Sequence, residues 1–170
     1  MYIFVNIKYV ILYLLINKMT INQIILYKNN CIQIDPNQIY QQKDFEKNPF
    51  IQIHSNNKSD SKSVYCIIMY DIHAPNPINS YLSPYLHWIM LDIQFEENKP
   101  INCYDFINYV PPTPPFGTHT YIVACYQQNE LLKNKKIPKI NKLSNFDIEN
   151  FVKQCNLKLI TETKFQVTKS

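Results

Sequence analysis

The sequence predicts a single domain that is mostly β, with one helix close to its carboxyl end. Dense apolar runs of strand length recur along the chain, and the eleven prolines lie between and around them. Only one late segment suits an amphipathic helix. A length of 170 residues with 46% hydrophobic and 14% aromatic residues favours one globular core over disorder.

Short strands are predicted before residue 60, followed by a long buried one. Short apolar runs alternate with polar turns at Gln23–Tyr27, Cys31–Ile34 and Phe50–Ile53. The next run, Val64–Tyr70, is dense enough in apolar and β-favouring residues to be a strand covered on both faces.

The second half predicts two more dense strands, at His87–Ile93 and Tyr121–Tyr126, and strand-like alternation at Leu157–Val167. The segment 144–155 suits a helix, because its apolar residues fall on or near one face. Its expected N-cap is Ser144 or Asn145.

Composition excludes several classes of function. All seventeen basic residues are lysine, which excludes arginine clamps on phosphate or carboxylate. The net charge of +4 comes from dispersed lysines with one short cluster at Lys133, Lys135, Lys136 and Lys139. No interleaved aromatic platform accompanies that cluster, so we expect a solvated loop between 130 and 142 and no nucleic-acid partner.

The cysteines indicate a reducing, cytoplasmic compartment. Their number, five, is odd, and no C-x-x-C pair occurs, which argues against a disulfide framework or a zinc ribbon. Cys66 and Cys125 lie in apolar runs, where a thiol acts as a small hydrophobe.

Residues 1–18 are expected to be an extension that precedes a single domain at 19–170. The alternative is that the apolar residues 1–16 act as a signal or anchor, which would make the protein secreted or membrane-anchored. No small-residue cleavage pattern follows this stretch, and it is short for a membrane span.

The only glycine, Gly117, lies in a proline-rich loop that precedes the third dense strand. Such isolation predicts a backbone position that needs positive φ or close approach to a ligand. Polar groups also begin or end the three dense strands, and they share one rim of the sheet if those strands are neighbours. These groups are Asp71, His73, Tyr85, His87, His119 and Tyr121.

Three short motifs carry these groups: Asp71–Pro75, Tyr85–Trp88 with the strand that follows, and Pro114–Tyr121. They resemble the D-P-D-x-P motif, the second motif and the P-P-x-G-x-H-R-Y block of the phosphatidylethanolamine-binding proteins. That family includes kinase inhibitors and flowering regulators. Order and spacing agree, and the resemblance extends from about residue 30 to Val167.

The resemblance implies a Greek-key β-sandwich with a few peripheral helices and a shallow pocket for anions. It implies no catalysis and no cofactor. The expected partners are a phosphate or phosphorylethanolamine head group and a kinase or protease, with peripheral membrane contact and a monomeric chain. The ligand-binding residues it implies are Asp71, Tyr85, His87, Pro115, Gly117, His119 and Tyr121, with His73, Ala74 and Pro75 at the rim.

The chain departs from the family pattern at Ile72, His73 and Thr120. An aspartate and an arginine are absent together, which suits the hypothesis that they form an ion pair elsewhere in the family. Trp88 is expected in the core, because it is one residue out of phase with His87. His119→Ala is expected to abolish ligand binding with little loss of fold.

Other interpretations of the same residues stay open. The histidines could be satisfied core residues, and Asp71 could cap a turn. The pocket could be vestigial in a protein that acts only through its partners. Asp71, His73, His87 and His119 could instead hold a metal ion that activates water, as in a hydrolase.

Overall fold

A computed structural model describes residues 21–28, 32–55, 63–96 and 99–169. The predicted extension, with its alternative as a signal or anchor, and Cys31 lie outside these residues. The described residues form one helix, α1 (Ile148–Gln154), a 3-10 turn at Gln42–Phe45, and ten strands. The strands are β1 (Ile21–Lys28), β2 (Ile32–Gln33), β3 (Ile39–Gln41), β4 (Phe50–Ser55), β5 (Val64–Asp71), β6 (Tyr85–Glu96), β7 (Lys99–Ile101), β8 (Tyr104–Ile107), β9 (Thr118–Gln128) and β10 (Lys158–Thr168).

The described strands form two sheets. The smaller has the order β2-β1-β4, and the larger has the order β3-β10-β9-β5-β6-β7, with β8 also paired to β6. All pairings are antiparallel except that of β3 with β10. The central strand β5 has seven of its eight side chains buried, which explains its almost continuous apolar sequence. The three dense strands are therefore neighbours, in the order β9-β5-β6.

The main core lies between the two sheets. Ile24 and Ile51 of the small sheet belong to one buried cluster with Ile67 and Val123 of the large sheet, and each is at most 3% exposed. Burial of such a side chain contributes about 1.5–3 kcal/mol to folding. The two sheets therefore form a β-sandwich, as the sequence predicted.

A second apolar layer covers the outer face of the large sheet. Ile68 and Leu91 of the sheet cluster there with Phe151 of α1 and with Leu132, which precedes the helix. Cys66 and Cys125 are fully buried, and burial raises the pKa of the Cys125 thiol to about 12. Both therefore pack as small hydrophobes. No helix in the described ranges is long and apolar enough to cross a membrane.

Three aromatic rings stack through the main core. Phe165 lies between Phe45 and Tyr121, with centroid distances of 4.4 Å and 5.4 Å and interplanar angles of 17° and 18°. The Tyr109 hydroxyl fixes the end of this stack by donating to the carbonyl of Phe45 at 2.9 Å. Such pairs contribute about 0.5–1.5 kcal/mol beyond the area that they bury.

The helix begins later than predicted, and neither Ser144 nor Asn145 is its cap. Its N-cap is Asp147, whose Oδ1 accepts a hydrogen bond from the backbone N–H of Asn150 at 3.0 Å. Asp147 thus satisfies one of the backbone donors that a helix start leaves unpaired.

The residues before the helix are held in another conformation. Asn145 has a φ of 50°, in the left-handed region. The N–H groups of Asn145 and Phe146 donate to the carbonyls of Leu82 and Pro84, each at 2.9 Å. These bonds tie the segment to the chain that enters β6, so it cannot join the helix.

The predicted strands Gln23–Tyr27 and Phe50–Ile53 lie within β1 and β4, and Leu157–Val167 largely coincides with β10. The predicted strand Cys31–Ile34 shortens to β2 in the described part of the chain. Three short strands were not predicted, β3, β7 and β8. Each has four residues or fewer, too few to show a clear alternation.

Candidate functional site

Strand register brings the predicted polar groups together at one end of the large sheet. Asp71, the last residue of β5, pairs with Tyr85 of β6 on one side and with Tyr121 of β9 on the other. His87 and His119 lie two residues from these tyrosines along their strands, so they share the same face. The five residues line one cavity of about 210 Å³.

Asp71 and His119 form a buried pair. Asp71 is 3% exposed and His119 is fully buried, and Nδ1 of His119 lies 2.6 Å from Oδ2 of Asp71. Oδ1 of Asp71 accepts from the backbone N–H of His73 at 2.7 Å. Nε2 of His119 faces the carbonyl of Phe116 at 3.1 Å. Both ring nitrogens therefore face acceptors, and a doubly protonated ring would donate to both.

His87 offers the free ring nitrogen of the site. Its Nδ1 donates to the carbonyl of Val110 at 2.7 Å, and its Nε2 makes no hydrogen bond within the described residues. Burial lowers the pKa of His87, against smaller raising effects of the Val110 carbonyl and the Asp71 carboxylate. A neutral ring that donates from Nδ1 leaves a lone pair on Nε2.

Aromatic rings form the walls around His87. Its ring centroid lies 5.3 Å from that of Tyr85 and 5.1 Å from that of Tyr121. Burial raises the pKa of the Tyr121 phenol, so it stays a neutral donor. Its hydroxyl has no hydrogen-bond partner among the described residues, where every fully buried side-chain N or O atom has one. Tyr121 is 1% exposed, and it is among the residues that line the cavity.

The glycine loop shapes the cavity without contributing Gly117 to its lining. Gly117 has a φ of 73°, and a Cβ there would lie 3.4 Å from Cδ of Pro77. The positive φ favours glycine at this position, as the sequence predicted, whereas the distance to Pro77 is an ordinary contact. Its neighbour Pro115 does line the cavity.

His73 also lies outside the lining, although it was predicted at the rim. Its Nδ1 accepts a hydrogen bond from the backbone N–H of Thr120 at 3.2 Å. His73 and Thr120, which stand where the family has an aspartate and an arginine, are therefore in direct contact. The hypothesis that the two were lost as a pair stays a prediction.

Sequence reasoning placed Ala74 and Pro75 at the rim but overlooked three apolar or neutral lining residues: Leu82, Val110 and Thr113. The last two stand in or beside the proline-rich loop, and that position was the one available signal.

A larger groove of about 350 Å³ runs beside Phe50 and Trp88. Trp88 is 2% exposed and donates from Nε1 to Oδ1 of Asp105 at 2.8 Å, so it is a core residue, as predicted.

The geometry does not favour the metal-dependent alternative. Within the described ranges, no group of three or more His, Cys, Asp or Glu side chains is placed to hold a metal ion. Asp71 and His119 are instead satisfied by each other. The cavity therefore combines one paired carboxylate, one free imidazole nitrogen and a phenol hydroxyl, groups that suit binding of a small polar ligand.

Residues 29–166 match the family model of the phosphatidylethanolamine-binding proteins. CEN-like protein 1 of Nicotiana tabacum is 34% identical over 70 residues, which cover 41% of this chain and 40% of that protein. Protein BROTHER of FT and TFL 1 of Arabidopsis thaliana is 31% identical over 86 residues, 51% of this chain and 48% of that protein. The chain thus spans less than half the length of these two relatives.

Two solved structures show the same fold. A carboxypeptidase Y inhibitor, complexed with its cognate proteinase, has a TM-score of 0.75 and 16% identity, over 86% of this chain and 83% of that one. The phosphatidylethanolamine-binding protein from Plasmodium vivax has a TM-score of 0.62 and 13% identity, over 87% and 85%. With the family match over most of its length, this chain belongs to the phosphatidylethanolamine-binding protein family.

Proposed function

We propose that this chain is a non-enzymatic binding protein whose cavity receives a phosphate-bearing head group such as phosphorylethanolamine. The observation that carries the proposal is the convergence of Asp71, His87 and Tyr121 on one cavity of about 210 Å³. This volume is smaller than a typical drug-sized pocket of about 300–1,000 Å³, so it suits a head group with its tail outside.

The charges of the cavity favour a zwitterion over a phosphate ion. No lysine lines it, and the one carboxylate, Asp71, repels a dianion. An ammonium group could approach that carboxylate, while the Tyr121 hydroxyl donates to a phosphate oxygen. Nε2 of His87 accepts a hydrogen bond from a phosphate hydroxyl while the ring is neutral, and it donates one to a phosphate oxygen when the ring is protonated.

The rim supports contact with a lipid surface. The stretches 72–84 and 108–118 contain no lysine, aspartate or glutamate. Large side chains nevertheless stand exposed there: Ile78 at 89%, Phe116 at 64% and Tyr81 at 63%. Exposed apolar groups that surround a polar site mark an interaction surface. We place the protein in the cytoplasm as a monomer in peripheral contact with membranes.

A second candidate function uses the same rim to dock a protein. The exposed Ile78 and Phe116 would then contact a kinase or protease, and the cavity would be vestigial. The carboxypeptidase Y inhibitor, which has this fold, is complexed with a proteinase. Failure of the head group to bind would favour this function.

Phosphorylethanolamine is expected to stabilise the protein. At about one hundred times its dissociation constant, a ligand adds about 2.7 kcal/mol, which corresponds to a rise of about 5–10 °C in Tm. His87→Ala should abolish the rise, whereas the matched control His73→Ala, outside the cavity lining, should keep it. The measurement is a thermal-shift titration with phosphorylethanolamine and, in parallel, inorganic phosphate. The proposal is contradicted if neither phosphorylethanolamine nor inorganic phosphate raises Tm at millimolar concentration.

Binding of an anion is expected to strengthen as pH falls. Burial holds the pKa of His87 below its ordinary value of 6.5, so the ring is mostly neutral at neutral pH and gains its proton only in acid. An anion favours the protonated ring. Sulfate lacks the ammonium group and should bind more weakly than the zwitterion, but its charge is constant in this range. Its affinity should therefore be several-fold higher at about pH 5.5 than at about pH 7.5. Calorimetric titration measures this, and an unchanged pH dependence in His87→Ala would assign the effect to another group.

A further inference from the structure

The segment 129–142, called here the basic segment, has the same net charge as the whole chain. It contains five lysines and one acidic residue, Glu130, so its net charge is +4, and the rest of the chain is balanced. All five lysines are exposed. One of them, Lys135, pairs with Glu130 at 2.8 Å, and that pair is itself more than half exposed. The lysines are Lys133, Lys135, Lys136, Lys139 and Lys142.

A buried carboxylate fixes one end of the basic segment. Asp92 is 3% exposed, and its carboxylate accepts from the N–H groups of Leu132 at 2.7 Å and Lys133 at 2.9 Å. Gln128 completes this arrangement, because its Nε2 donates to Oδ1 of Asp92 at 2.8 Å and its Oε1 accepts from the Asp92 N–H at 3.0 Å.

Apolar anchors hold the remainder of the segment against the protein. Leu132 is buried in the outer apolar layer, and Ile137 and Ile140 pack against that layer. Just beyond the segment, the carbonyl of Leu143 accepts from the N–H of Leu86 at 2.8 Å. The backbone that presents the lysines is therefore tethered at both ends, which lowers the entropy that binding would cost.

A groove of about 280 Å³ lies at the carboxyl end of the basic segment. Lys139 and Lys142 line it together with the amide side chain of Asn141, and Ile140 supplies apolar surface. One acidic residue, Asp147, also lines it, and its Oδ1 is already occupied as the cap of α1. The groove thus offers positive charge, an amide and apolar contact within one concave surface.

We propose that this groove and the basic segment bind an extended acidic segment of a partner protein, with one apolar side chain among its carboxylates. The inference does not depend on the head-group cavity. Charge complementarity selects an anionic partner. The concave, partly apolar groove fits a peptide better than a flat bilayer. The neighbouring rings Phe146 and Phe151 are 8% and 2% exposed, too buried to stack with bases.

The test is fluorescence anisotropy with a labelled peptide of about ten glutamate and aspartate residues around one central leucine. The triple variant Lys136→Gln, Lys139→Gln, Lys142→Gln should weaken binding by about tenfold or more at low salt. The matched control Lys43→Gln, Lys47→Gln, Lys99→Gln removes the same charge from exposed lysines elsewhere and should weaken it by less than about threefold. Replacing the leucine of the peptide by glycine should also weaken binding.

Three outcomes would overturn the proposal. Equal losses in the two triple variants would mean that only net charge matters. Indifference to the central leucine would exclude the groove. In the third outcome the peptide does not bind, whereas vesicles rich in phosphatidylserine or single-stranded RNA do bind, and the first triple variant abolishes that binding. The basic segment would then be assigned to a membrane or a nucleic acid.

Discussion

Replacing His119 with alanine is expected to destabilise the protein by about 3–5 kcal/mol. The substitution leaves the carboxylate of Asp71, which is 3% exposed, without the ring nitrogen that lies 2.6 Å from it. Removing one partner of a buried carboxylate costs about this much, because the carboxylate loses a hydrogen-bond partner where water cannot replace it and the missing ring leaves a cavity. The sequence alone suggested little loss of fold, and the full burial of His119 reverses that expectation. Urea unfolding followed by fluorescence of Trp88 measures the change.

Two further variants test the cause of that loss. His73→Ala removes a neighbouring histidine whose Nδ1 accepts from the N–H of Thr120. It should cost only about 1 kcal/mol, because this contact is long and part-buried, so water can replace the acceptor. Asp71→Asn combined with His119→Ala should cost less than the sum of the two single changes, because no charge is then left unpaired. A loss below about 1 kcal/mol for His119→Ala alone would show that the pair contributes little.

Asp92→Ala is expected to cost at least about 3 kcal/mol and to loosen the basic segment. The change removes the acceptor of the Leu132 and Lys133 N–H groups and of Gln128 Nε2, and an unsatisfied buried donor costs about 1–3 kcal/mol. Asp92 also has a φ of 58°, which aspartate and asparagine tolerate better than alanine. Urea unfolding gives the total, and amide hydrogen exchange at Leu132 and Lys133 reports the local loosening.

The matched variants for this prediction are Asp92→Asn and Glu96→Ala. Asparagine tolerates the left-handed backbone and keeps one acceptor oxygen, so it should lose clearly less stability than alanine. Glu96, at the exposed end of β6, should change stability by less than about 0.5 kcal/mol. Unchanged hydrogen exchange at Leu132 in Asp92→Ala would mean that the apolar anchors hold the segment without the carboxylate.

Much of the fold could be predicted, because dense apolar strands and proline-rich rims are strong local signals. β5 shows this best, since burial on both faces leaves little room for polar residues. The helix start was wrong because Asn145 and Phe146 bond to Leu82 and Pro84, residues about sixty positions away. No local pattern records such a long-range bond.

The site could be predicted in part for the same kind of reason. Asp71, His87 and His119 carry a chemical signal in their side chains, and strand neighbours bring them together. Leu82 carries none, so its place in the lining could not be predicted, and Val110 was signalled only by its position in the proline-rich loop. The hydrogen bonds that occupy both nitrogens of His119 but only one of His87 also depend on loop geometry. The ligand-binding role of these residues stays a prediction.

The stack of Phe45, Phe165 and Tyr121 limits what the cavity can accept. Tyr121 lines the cavity, and it is also the last ring of the stack, with Phe165 and then Phe45 packed behind it. A close-packed interior yields little, so this wall cannot retreat to admit a bulkier group. Selection among head groups would then act on size. Under the proposed head-group binding, any group bulkier than phosphate beside Tyr121 would have to find room on the side of the solvent-facing loops.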